Sequence, residues 1–142
     1  MKLTKLVSLL VLVAVMLAAC SEDALTNPTA GPDIVKAFKA EPLTNNGKAT
    51  NGELVFYRLP CLSCHLLNGS GGLEGRAPAL DKIGTTGATR VEGVTAVQYL
   101  RHAILKPEDL RLPDLRNIMP SFANTLSPSE LEDLVAYLLT LK

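Results

Sequence analysis

Aromatic side chains are scarce in this chain of 142 residues, which has no tryptophan, three tyrosines and three phenylalanines. Convincing strand patterns are lacking too, and residues 49–142 show helical patterns separated by long loops. A small, loop-rich domain with so few large apolar side chains is only marginally stable unless another group fills its centre. We therefore predict an all-α domain whose core is completed by something other than its own side chains.

An excess of charge is lacking as well, because 14 basic residues balance 14 acidic ones. Proteins that bind nucleic acid usually carry a basic patch, and the sequence shows none. The charge balance therefore argues against a nucleic-acid partner.

A mostly apolar run lies near the start of the chain, at residues 6–19, directly after Lys2 and Lys5. As a helix this run would span roughly 21 Å, which is too short for the ~30 Å hydrocarbon core of a membrane. A basic start followed by an apolar run is typical of a secretory signal. We predict that residues 1–19 are a signal peptide, whose removal would leave 12 basic and 14 acidic residues.

The apolar run ends in LAAC, residues 17–20, which resembles the lipobox of bacterial lipoproteins. This resemblance implies that Cys20 becomes the first mature residue and carries lipid on its sulfur and amine. More than one acyl chain gives stable anchoring, whereas a single chain is marginal. The alternative is a buried or chance cysteine at the end of an ordinary signal.

The next segment, residues 20–48, is rich in Asn, Thr, Pro and Gly. This composition is typical of a flexible linker, so we predict a tether between the lipid and the domain. A short helical turn over residues 34–40 is compatible with the pattern.

The domain is predicted to begin with a helix over residues 51–58. Thr50 and Glu53 have the spacing of a capping box, and Pro60 ends the helical pattern. This helix leads directly into the cysteine motif of the chain.

Two further helices are predicted towards the C-terminus. The first covers residues 95–106, with Gln98 and His102 on its polar side, away from the apolar face. The last helix begins at Ser127, which forms a second capping box with Glu130. An apolar stripe follows that box and indicates a face that packs on the core.

The motif CLSCH contains Cys61, Cys64 and His65. A structural zinc site needs four protein ligands, and the chain has no second cysteine pair. A thioredoxin-like dithiol is expected in a βαβ context, which is absent here. C-x-x-C-H is the attachment signature of c-type haem, so we predict thioethers from both cysteines and an iron bond from His65.

A haem iron held by His65 has a second axial position, and Met119 is the predicted ligand there. Met1 and Met16 would leave with the signal peptide, so Met119 is the sole methionine of the mature chain. It lies in an irregular segment that could cross the second face of the haem. His102 and an open iron site are the alternatives.

Three features occur in order: NGELVFYRLPCLSCH, then APAL, then IMPSF followed by a capped helix. With these features, residues 50–142 resemble a class I cytochrome c. The resemblance implies that the first and last helices cross around one covalent haem c, with Gly52 and Phe56 meeting Tyr137. It also implies that the carbonyl of Pro78, in APAL, accepts a hydrogen bond from His65.

The resemblance further implies that Arg90 or Tyr99 contacts the haem propionates and that the protein is a one-electron carrier rather than an enzyme. We expect a lipid-anchored carrier on the extracytoplasmic or periplasmic side of the cell membrane. Its partners would be a quinol-oxidising complex and an oxidase or a similar acceptor. The first alternative is a fixed haem c subunit of such a complex, for example alternative complex III. The second is a haem site for peroxide reduction or gas sensing.

Overall fold

The computed structural model describes residues 32–72, 77–110 and 118–142. The predicted signal peptide and Cys20 lie outside these residues. Across the described ranges, no helix is both long enough and apolar enough to span a membrane.

The described residues are mainly helical, in agreement with the predicted fold class. The α-helices are α1 Pro32–Lys39, α2 Ala49–Arg58, α3 Ile83–Thr86, α4 Ala96–Leu105 and α5 Pro128–Leu138. Short 3-10 helices cover Pro60–Ser63, Gly87–Thr89 and Pro107–Asp109. A small antiparallel hairpin, which the sequence did not indicate, pairs β1 Leu66–Leu67 with β2 Ser70–Gly71.

Helices α2 and α5 cross in close contact, as the resemblance implied. Gly52 permits this approach, because a Cβ added there would lie 2.8 Å from the Cβ of Tyr137. One turn further along α2, the rings of Phe56 and Tyr137 pack with their centroids 5.3 Å apart. The prediction that these three residues meet is therefore confirmed.

The start of α2 differs from the prediction, because the helix begins at Ala49 and Lys48 occupies the N-cap position. Thr50 therefore lies inside the first turn and forms no capping box with Glu53. The Lys48 N–H instead donates a hydrogen bond to Asp133 Oδ1 of α5 at 2.6 Å. A tertiary contact thus satisfies one of the free N–H groups at this helix end.

The capping box predicted at the start of α5 is confirmed. Ser127 N–H donates to Glu130 Oε2 at 2.9 Å, and the Glu130 N–H donates back to Ser127 Oγ at 3.3 Å. Glu130 also pairs with Arg58 of α2 at 2.6 Å, so the cap is connected to the crossing helix.

Helix α1 packs on the domain, so the flexible-tether prediction is wrong for residues 32–48. Phe38 is fully buried, and its ring lies 4.2 Å from the His102 ring between centroids. Gln98 Nε2 donates to two backbone carbonyls of this segment, those of Lys39 and Glu41, both at 3.1 Å. The apolar face of α1 and these hydrogen bonds explain why the segment lies on the domain surface.

The polar side of α4 is buried, although the polar face of a helix usually lies towards solvent. Gln98 is 3% exposed and His102 is 1% exposed. The reason is that α1 covers this side of the helix, while the opposite side faces the core.

Candidate cofactor site

A deep apolar cleft lies at the centre of the domain, bounded by α2, α4, α5 and the loops between them. The cleft and the open solvent at its mouth together occupy about 1310 Å³. Its walls are almost entirely carbon, and the polar or reactive groups among them are few. The apolar side chains around it include Phe56, Leu59, Leu80, Ile83, Leu100, Ala103, Ile104, Phe122, Leu134 and Leu138.

Cys61, Cys64 and His65 all line this cleft. Pro60 ends α2 and starts a 3-10 turn, whose backbone bonds run from the N–H groups of Cys64 and His65 to the Cys61 carbonyl at 3.3 and 2.9 Å. This tight turn brings the three side chains to one edge of the cleft. Both cysteines are free thiols, so each could form a thioether.

The environment of Cys61 argues against a redox dithiol. Burial raises its pKa from 9.0 to about 11, although a hydrogen bond with its own backbone lowers it slightly. Reactive dithiols instead have lowered pKa values, because the thiolate is the nucleophile. Zinc is not supported either, since the described residues contain no cluster of three or more His, Cys, Asp or Glu side chains that could hold a metal ion.

The imidazole of His65 is oriented by the backbone of Pro78. Its Nδ1 lies 2.7 Å from the Pro78 carbonyl oxygen, which can only accept a hydrogen bond. Nδ1 therefore carries the proton, and Nε2 keeps a lone pair for a metal. Burial lowers the pKa of His65, while the Pro78 bond raises it, so the imidazole is held in the neutral form that binds iron.

The hairpin after the motif connects it to the loop that contains Pro78. Asn68 adopts a left-handed backbone with φ of 51°, and its N–H donates to Asp81 Oδ1 at 2.6 Å. The Leu80 N–H donates to the Leu66 carbonyl at 2.8 Å. These bonds keep the two loops in register, which explains how a histidine and a carbonyl 13 residues apart meet.

Met119 also lines the cleft, in the segment before α5. Two hydrogen bonds attach this segment to the C-terminal end of α4. Ser121 Oγ donates to the Leu105 carbonyl at 2.5 Å, and the Phe122 N–H donates to the Ile104 carbonyl at 3.1 Å. The thioether and the imidazole of His65 therefore lie on the walls of one cleft.

His102, the alternative ligand, does not line the cleft. Its Nε2 lies 2.8 Å from Asp109 Oδ2, and its Nδ1 lies 3.4 Å from Glu41 Oε1. The ring is thus enclosed by Phe38 and two carboxylates on the far side of α4. This environment was not predicted, because Phe38 and Glu41 belong to the segment predicted to be a tether.

Tyr99, one of the two residues expected near haem propionates, lines the cleft. Burial raises the pKa of its hydroxyl, and the charge of Arg90 lowers it by a smaller amount. Arg90 is therefore near Tyr99 but does not itself line the cleft.

One comparison with known proteins identifies the family of the chain. The sequence model of the family described as Cytochrome c matches residues 49–142. The chain belongs to the cytochrome c family. No curated protein and no solved structure matched the chain in the corresponding searches.

Membership of this family shows that the protein is a class I cytochrome c with one covalent haem c, and that it carries electrons between redox partners. The cleft fits such a group, because an apolar wall surrounds two thiols, a neutral imidazole and a thioether. The haem also explains the scarcity of aromatic residues, since it supplies a large apolar body to the core.

The sequence did not predict the structural roles of three residues around the site. Phe38 packs on His102 at the side of α4 that faces away from the cleft, and Ser121 attaches the Met119 segment to that helix. A signal for Phe38 was present, because Ile34, Val35 and Phe38 have the spacing of one helix face. No sequence signal distinguishes Ser121 from an ordinary loop serine.

Proposed function

We propose that Cys61 and Cys64 hold the haem through thioethers, and that His65 Nε2 and Met119 Sδ are the axial ligands of its iron. The observation that carries this proposal is that all four side chains line the same apolar cleft. The haem supplies reversible one-electron chemistry at iron when bound.

Each of these residues has a distinct task in electron transfer. The two cysteines retain the group covalently, and the Pro78 carbonyl holds the His65 ring in one orientation. A Met ligand opposite His raises the reduction potential relative to a His/His pair. If His65 and Met119 both bind the iron, no ligand position would remain for a substrate, which would support a carrier over peroxide or gas chemistry.

We further propose that Cys20 is lipidated after removal of residues 1–19, so that the protein is anchored to the cell membrane on its extracytoplasmic or periplasmic side. It would accept electrons from a quinol-oxidising complex and deliver them to an oxidase or a similar acceptor. The support for this location is the lipobox-like sequence at residues 17–20.

The docking of α1 limits how far such an anchored domain could move. Between Cys20 and α1 lie residues 21–31, which is 11 residues, and even a fully extended chain of this length reaches only about 40 Å. A tether over all of residues 21–48 would reach about 100 Å. The shorter reach favours partners in the same membrane, and it supports the second candidate, a fixed haem c subunit of a larger complex such as alternative complex III.

Spectroscopy of the purified ferric protein tests the ligands. We expect a methionine-sulfur-to-iron charge-transfer band and slow, weak binding of cyanide at neutral pH. Rapid cyanide binding without that band would contradict Met119 ligation and favour the peroxide or gas-sensing alternative.

Purification from membranes in mild detergent distinguishes the two electron-transfer roles. A free carrier is expected to elute alone. Stable co-elution with membrane haem or iron–sulfur subunits would instead identify a fixed subunit.

A further inference from the structure

We propose that residues 32–48 support the haem site, and that His102 is the positioning residue through which they act. These residues lie outside the part of the chain that matches the family, residues 49–142. The proposal rests on the haem ligands given above, because it concerns the cleft wall and the segment that carries Met119.

His102 is held on one side by the N-terminal segment. Phe38 is fully buried and its ring lies against the imidazole, with 4.2 Å between the centroids. Glu41 Oε1 lies 3.4 Å from His102 Nδ1, although the geometry is not that of a hydrogen bond. Arg101 is also close to Glu41, with 3.7 Å between the guanidinium Nε and Oε2. The segment therefore contributes an aromatic face and a carboxylate to a pocket around one imidazole.

On its other side, His102 binds Asp109, which lies in the chain between two residues of the cleft wall. Its Nε2 lies 2.8 Å from Asp109 Oδ2, and the carboxylate accepts the hydrogen bond. Asp109 ends the 3-10 helix Pro107–Asp109, and both Pro107 and Leu110 line the cleft. One imidazole thus connects the N-terminal segment to two residues that face the haem.

The same end of α4 holds the segment with Met119. The carbonyls of Ile104 and Leu105 accept the hydrogen bonds from Phe122 and Ser121. His102 lies in the last turn of α4, since its carbonyl accepts from the Lys106 N–H at 2.7 Å. Movement of this turn would therefore displace both the cleft wall and the Met119 segment.

The chemistry around His102 favours a role in positioning over a role in stability alone. Removing polar side chains such as His102 and Glu41 from water is costly, so their burial stabilises the fold less than apolar residues of similar size would. They do impose one relative arrangement, because their hydrogen bonds are directional. The cluster therefore defines where the Pro107–Leu110 wall lies relative to α4.

The first test changes Asp109 in the holoprotein. Asp109→Ala removes the partner of His102 Nε2 at a partly exposed position, so we expect the fold to survive. Ferric cyanide binding should become at least tenfold faster, which corresponds to an activation barrier lower by about 1.4 kcal/mol, and the reduction potential should fall. Asp109→Asn keeps an amide oxygen as acceptor and should restore most of the wild-type behaviour.

Glu92→Ala is the matched control, because Glu92 is an exposed carboxylate with no hydrogen bond or ion pair in the described part of the chain. Its cyanide kinetics and potential should equal those of the wild type. Asp109→Ala holoprotein with wild-type kinetics, potential and charge-transfer band would overturn the proposal.

The second test compares a substitution at Phe38 with one at an exposed residue of the same segment. Phe38→Ala should make residues 32–48 accessible to cleavage by protease. It should also produce the same haem changes as Asp109→Ala. Leu43→Ala in the same segment should do neither, since Leu43 is 65% exposed. Cleavage of the segment by protease without any change at the haem would also overturn the proposal. If Phe38→Ala yields no holoprotein, the Asp109→Ala result decides.

Failure of the ligand assignment would look different. It would appear in the wild-type spectrum, as a missing sulfur-to-iron band, before any variant is made. The potential and the visible circular dichroism of the haem still report on the cleft wall in that case. A difference between Asp109→Ala and wild type in these two measurements would support the positioning role, whichever group is the second ligand of the iron.

Discussion

A methyl group placed on Gly52 would lie 1.8 Å from the carbonyl oxygen of Asp133. This relationship defines the crossing of α2 and α5, which close the domain around the cleft. The contact is between backbones, so no side-chain rotation could relieve the overlap. The two helices can meet at this distance only because position 52 carries no side chain.

Gly52→Ala is therefore expected to destabilise the holoprotein by about 1–3 kcal/mol or more, the usual range for overpacking a core. Chemical denaturation, followed by the haem absorbance and by circular dichroism, measures this change. Gly87→Ala is the control, because a Cβ there would meet its nearest neighbour, Tyr99 Cδ1, at an ordinary 3.4 Å. Equal stability of the two variants would contradict the close helix crossing.

The cap of α5 predicts a dependence of stability on pH. Hydrogen bonds from the backbone and hydroxyl of Ser127, together with Arg58, lower the pKa of Glu130 from 4.5 to about 2. A carboxyl whose pKa falls on folding binds protons more weakly in the native state than in the unfolded state. Its contribution to stability is therefore complete above pH 4.5 and is lost as the pH falls towards 2.

Glu130→Gln should consequently lose less stability than the wild type between pH 4.5 and pH 2, while being less stable than the wild type at pH 7. Thermal unfolding midpoints across this range measure the difference. Glu92→Gln, which alters an exposed carboxylate without a described partner, should follow the wild type. Parallel pH curves for Glu130→Gln and wild type would show that the cap does not perturb this carboxyl.

Local motifs made much of the site predictable. Cys61, Cys64 and His65 were readable because the chemistry of C-x-x-C-H lies within five consecutive residues. Ser127 and Glu130 were equally local, since a capping box depends on one turn of backbone. Membership of the family then confirmed the fold and the covalent haem c.

The errors about the helices arose where a distant contact decides the structure. Thr50 and Glu53 had the spacing of a capping box, but Asp133 of α5 binds the Lys48 N–H and the helix begins earlier. His102 lies on the polar side of α4, and periodicity alone cannot show that α1 covers that side. Short helices such as α1 gain most of their stability from packing, so composition suggested a linker instead.

The proposed lipid anchor is tested by Cys20→Ser, which removes the sulfur that would carry the acyl group. We expect soluble holoprotein in the extracytoplasmic fraction, because an unacylated chain lacks the membrane affinity of two acyl chains. Membrane and soluble fractions are compared by haem staining. Ser21→Ala is the control and should remain in the membrane fraction.

Continued membrane association of Cys20→Ser would contradict lipid as the only anchor. It would also support the fixed-subunit candidate, since protein contacts would then retain the domain. Detergent extraction of that variant, followed by identification of what elutes with it, would decide between the two.

Met119→Ala tests the second iron ligand. Removal of the thioether should leave the covalent haem in place, because Cys61 and Cys64 are unchanged. The reduction potential should fall and the sulfur-to-iron band should disappear. Cyanide should bind at least tenfold faster, which corresponds to an activation barrier lower by about 1.4 kcal/mol. Asn124→Ala is the control, because Asn124 is exposed in the same segment and does not line the cleft. An unchanged spectrum and potential in Met119→Ala would refute the assignment, and His102→Gln would then show whether the buried imidazole reaches the iron.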